Sequence, residues 1–96
     1  MTSLIDKLSQ TRVAIADCRV LYRQSQAMKR DQMVGQEYVN SVSDDLDNLI
    51  RYFAELRLRA EALIEHVEFP DIEEDKAVEM TIVRLYERME SNREVA

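Results

Sequence analysis

Residues 39–67 read VNSVSDDLDNLIRYFAELRLRAEALIEHV, and the spacing of their apolar side chains decides the fold. Val39, Val42, Leu46, Leu49, Phe53, Leu56, Ala60, Leu63 and Val67 recur at intervals of three and four. Positions so spaced fall on one stripe of a helix. A stripe this long is a coiled-coil-like seam that has to be buried against other helices. Ile50 and Ile64 widen it, so this helix is expected to meet two neighbours. From about 37 to 67 it would be roughly 45 Å long at 1.5 Å per residue.

Breaks on either side give the organisation. Upstream, Gly35 is the one residue able to take a left-handed cap at no steric cost, and the basic pair Lys29 and Arg30 before it suits a helix C-terminus. Helix 1 is therefore expected over about 3–33, with Ser3 and Asp6 at capping-box spacing and Leu4, Leu8, Thr11, Ile15, Cys18 and Tyr22 as its seam. Downstream, Phe69-Pro70-Asp71 interrupts the pattern, because Pro70 has no N–H to donate and disfavours helix at the residue before it. Helix 3 is expected over about 70–90, opening on the acids Asp71, Glu73, Glu74 and Asp75 and followed by a fraying tail, 91–96. The fold class is all-α: a long antiparallel hairpin plus a shorter third helix, in one domain spanning 1–96.

A third helix of this length would cover only the part of helix 2 nearest Pro70. Met28, Met33, Val34, Tyr38, Val39 and Val42 would then form an apolar patch at the tip around Gly35, and a patch of that kind is normally covered by a partner or a second copy. Self-association, most simply as a two-fold dimer, is the expectation.

With 33% charged residues, one Gly and one Pro, the composition suits uninterrupted helices. The net charge of −6 is uneven. Residues 1–34 hold six basic and three acidic side chains, whereas 35–96 hold seven basic and sixteen acidic ones. An acidic chain without a clustered basic excess is not a duplex-DNA binder. Cys18 is the sole cysteine, no apolar run is long enough to cross a membrane, and the N-terminus lacks a signal-peptide core, so a soluble cytoplasmic protein is expected.

Chemistry-bearing patterns are sparse. Arg12, Arg19, Arg23 and Arg30, spaced seven, four and seven, lie within about 20° of a common direction on helix 1, beside Tyr22. Such a line either neutralises the acidic helices or grips an external anion, whether an acidic partner protein or a nucleotide. His66 lacks the Glu-x-x-His spacing of a di-iron bundle, and one His with one Cys is a poor zinc set. Ser41, Ser43 and Ser91 have no partner for nucleophilic catalysis except His66, and no phosphate loop exists in a chain with one glycine. Neither a cofactor nor a catalytic centre is expected.

Two partial family resemblances are carried by short motifs. The long first helix with Arg12, Arg23 and Lys29 resembles the small all-helical chorismate mutases, which would imply a dimer binding a dicarboxylate, but the polar residues of that family's second and third helices have no counterpart here. Met33-Val34-Gly35 near the turn, with Tyr86 four residues before Glu90, resembles the WxG secreted helical hairpins, although there is no tryptophan and Pro70 introduces a further helix. Neither covers enough of the chain to assign it. The expected function is a non-enzymatic interaction module: a helical adaptor, chaperone or inhibitor of a larger protein, of the type phages make. The alternatives are an oligomeric binder of a small anion and an acidic nucleic-acid mimic.

Overall fold

The computed structural model describes residues 3–64 and 75–94, and among them it shows three helices and no strand: α1 (Leu4–Arg30), α2 (Gln36–Ile64) and α3 (Asp75–Glu94). The break at Phe69-Pro70-Asp71, His66 and the acids 71–74 lie outside the described residues. Ser3 caps α1 as its spacing implies, its Oγ accepting from the Asp6 N–H at 3.1 Å.

The first turn is built differently from the expectation. α1 ends at Arg30, three residues early, and the left-handed residue is Gln32 at φ 61°; Gly35 has no positive φ. The Met33 N–H donates to Met28 C=O and the Gln32 N–H to Lys29 C=O, both at 2.9 Å. Those two bonds are the six-to-one and five-to-two pair of a Schellman cap, with Gln32 standing where glycine is usual. Only two to three residues then remain before α2 starts.

α1 and α2 meet along small residues. Thr11, Cys18 and Ser25, seven apart, are buried on α1 and leave room for Val42, Leu49 and Leu56, also seven apart and fully buried on α2. Buried hydroxyls cost stability unless bonded. Thr11 donates to Lys7 C=O at 2.7 Å and Ser25 to Tyr22 C=O at 2.7 Å, so neither opposes the close approach.

α3 runs antiparallel to α2. Val78 and Thr81 lie beside Asn48 and Arg51, while Arg88 reaches Ser41 and Tyr38. It therefore covers the stretch of α2 toward the tip, not the end nearest Pro70, and it continues to Glu94 where a frayed tail was expected from 91. With α3 on this side the α2 seam rotates: Asp45 and Tyr52 are buried, whereas Leu46 and Phe53 are only partly so. Leu63, expected in the seam, is 64% exposed, because α2 runs on to the end where α1 begins. The extents of 52 × 22 × 19 Å and a radius of gyration of 15.5 Å make a rod. A compact domain of this length would have a radius near about 12.5 Å. No described helix is long and apolar enough to cross a membrane.

Candidate functional site

The tip residues do not form the apolar patch that the pattern suggested. Val39 and Val42 are core, 5% and 0% exposed, and Met28, Val34 and Tyr38 are half-buried. Met33 alone among the six stands out in solvent. The reason is local: Val39 and Val42 face α1 across the short turn, and the last turns of α3 lie over Tyr38. The apolar ground for a second copy at this end is thereby removed.

What the structure places beside the turn is polar and basic. A groove of about 600 Å³ opens between the end of α1 and the start of α2. Tyr22, Arg23, Gln26, Lys29 and Arg30 form one wall, and Gln36, Val39, Asn40 and Ser43 the other. Helical spacing explains the first wall, since 22, 26 and 29–30 rise by about one turn each on the flank of α1 next to α2. Its lining holds three cations and no carboxylate. Two side-chain bonds tie the walls' polar groups down: Gln26 donates to the Tyr22 hydroxyl at 3.1 Å, and Gln36 donates to Asn40 Oδ1 at 2.7 Å.

Of the arginine line, Arg23 and Arg30 belong to this groove, while Arg12 and Arg19 continue the same face of α1 outside it. All four are exposed. Among the described residues no carboxylate pairs with any of them. Neutralisation of this line by the acidic half of the chain, the cheaper of its two readings, is thus not realised among the described residues.

Asp45 attracts other arginines. Its side chain is 4% exposed and accepts from Arg84 at 2.9 Å and from Arg88 at 2.6 Å. The second guanidinium nitrogen of Arg88 donates to Ser41 Oγ at 2.7 Å, and its carbon lies 5.9 Å from the Tyr38 ring centroid. Arg84 and Arg88 are one helical turn apart, so a single face of α3 delivers both to one carboxylate. This node pins α3 to α2 and was not anticipated; the four-residue spacing of Arg84 and Arg88, with Asp45 three residues after Val42 and four before Leu49, was the available signal.

Cys18 is buried at the α1–α2 crossing, its thiol donating weakly toward Val42 C=O at 3.9 Å. Burial, reinforced by the negative charge of Asp45 and offset in part by Arg88, pushes its pKa up to about 11, so it is not a nucleophile. Among the described residues no three His, Cys, Asp or Glu side chains are grouped closely enough to hold a metal ion. No protein-family model, curated protein or solved structure matches this chain.

Proposed function

We propose that the chain is a non-enzymatic interaction module whose working surface is the arginine face of α1, and that its partner is a protein presenting an acidic segment. One observation carries the reading: Arg12, Arg19, Arg23 and Arg30 stand exposed and without a carboxylate partner among the described residues, in a chain whose net charge is −6. Guanidinium forks match carboxylates bidentately, and a rigid helix holds four of them in line at small entropic cost. The same field would steer an acidic partner and speed its association.

The test uses the two arginines outside the groove. Proteins retained by the immobilised chain are identified, purified and titrated against wild type and Arg12→Glu/Arg19→Glu. Both positions are exposed, so helicity should be unchanged while affinity falls by about 100-fold and the remaining binding becomes less salt-dependent. Affinity equal to wild type in the double variant, or binding insensitive to salt, would remove the arginine face from the mechanism.

A further inference from the structure

The groove at the turn differs in character from the rest of the arginine face. We propose that it is a small-molecule site for a nucleotide, with the phosphates held by Arg23, Lys29 and Arg30 and the base set against Tyr22. The site shares Arg23 and Arg30 with the acidic-partner face but not Arg12 and Arg19, so variants at the latter pair separate the two readings.

Size comes first. About 600 Å³ lies in the middle of the range of small-ligand sites, roughly 300–1,000 Å³. Charge comes second: three cations line the groove with no carboxylate among them, which favours a ligand carrying several negative charges in a small volume. Lys29 and Arg30 sit in the last turn of α1, and α2 begins with Gln36 at the opposite lip. The positive end of the α2 dipole therefore adds to the attraction at that lip, while the capped carbonyls of α1 are occupied by the Schellman bonds.

The third observation separates a nucleotide from a bare phosphate. Tyr22 is half-buried within the groove, where its ring forms part of the wall and its hydroxyl accepts from Gln26. Opposite it, the Gln36–Asn40 bond uses one amide N–H of Gln36 and the carbonyl of Asn40. The Gln36 carbonyl and the Asn40 NH₂ take no part in that bond and remain to accept from and donate to the edge of a base. An oligophosphate needs only the cations; a nucleotide uses the ring and the amide pair as well.

Calorimetric titration of the purified full chain at about 0.15 M salt tests this with ATP, GTP and inorganic pyrophosphate as probes. At least one nucleotide should bind. Arg23→Gln should weaken it by about tenfold or more, the loss of one charged phosphate contact. Tyr22→Leu should weaken the same nucleotide by about fivefold or more through lost stacking, and leave pyrophosphate unaffected. Arg12→Gln should change affinity by less than about twofold, since at that distance only screened attraction is lost. Melting curves of the variants establish that each is folded. Absence of binding by ATP and GTP at about 1 mM ligand, equal loss from Arg12→Gln and Arg23→Gln, or pyrophosphate binding as tightly as either nucleotide would each overturn the assignment.

Discussion

Removing the charged node between α2 and α3 should reveal how the third helix is held. In Asp45→Ala the carboxylate is deleted and two guanidiniums lose their partner, but not equally. The Arg84 side chain is 52% exposed, so it returns to water at a cost of about 1 kcal/mol or less. Arg88 is 22% exposed and keeps Ser41 and the Tyr38 ring, so it forfeits one short charged bond worth about 1.5–3 kcal/mol. Asp45→Ala should therefore destabilise by about 1.5–4 kcal/mol against a total of about 5–15 kcal/mol for a domain of this kind. Arg84→Met/Arg88→Met is the more severe change, because it strands a carboxylate that is 4% exposed; about 3–5 kcal/mol is expected. Adding Asp45→Leu to that pair removes the stranded charge and should recover most of the loss, since a buried ion network replaced whole by apolar groups is often neutral. Urea unfolding followed by circular dichroism measures all three, and hydrogen exchange should show α3 amides losing protection before those of α1 and the first half of α2. If the triple variant is as unstable as the double, or Asp45→Ala costs less than about 0.5 kcal/mol, the node is not what holds α3.

Three further outcomes follow from single positions. Gln32→Gly should raise stability by about 0.5–1 kcal/mol by relieving a left-handed residue that carries a side chain, whereas Gly35→Ala, whose added Cβ would meet nothing within 4 Å, should be neutral; the reverse order in urea midpoints would place the turn at Gly35. Val39→Asp should unfold most of the protein by burying a charge in the core while Met33→Asp, in solvent, should leave the melting curve unchanged, and comparable effects from the two would mean that the tip is not packed within one chain. Cys18 should resist thiol reagents at neutral pH, and because its proton is held to about pH 11 when folded and released near 9.0 when unfolded, stability should fall as pH rises through that window. Relative to Cys18→Ala, wild type should lose roughly 1.4 kcal/mol per pH unit there, and parallel curves for the two proteins would show that the thiol is not the group responsible.

The helices were legible because their determinants are local. Ser3 with Asp6 and the apolar repeat of residues 39–60 state start and buried face without reference to the rest of the chain, whereas the close approach along Thr11, Cys18 and Ser25 emerges only from the packing. The turn was misread for a reason equally physical: glycine is the cheapest left-handed residue but not an obligatory one, and the Schellman bonds of Met33 and Gln32 hold Gln32 in that conformation. The position of α3 was not legible, since spacing along one helix does not say where a second helix docks along it. That uncertainty propagated to the site. With α3 placed nearest Pro70, Val39 and Val42 looked like an exposed interface; packed against α1 across the short turn they are core, and the polar groove beside them becomes the feature of that end.

The charges explain why the arginine line is left over. An acid at position 45 in the α2 seam would be prohibitive alone, and either flank could in principle supply its cation. α1 cannot, because the α1 residues buried in the core with Val42 are Ala14, Ile15, Cys18 and Leu21, while its arginines are all exposed. Arg84 and Arg88, on the face of α3 that meets α2, fill the need instead. Compensating the buried acid from α3 leaves α1 with an exposed cationic face that no interaction within the described fold consumes, and that leftover charge is the ground for proposing an external anion there. If that assignment of charges is right, Arg84→Gln/Arg88→Gln should weaken α3 docking without reducing anion binding at Arg23, and Arg23→Gln should do the opposite. Binding and stability measured on the same two variants separate the roles; loss of both properties in either variant would mean that the two charge sets act as one.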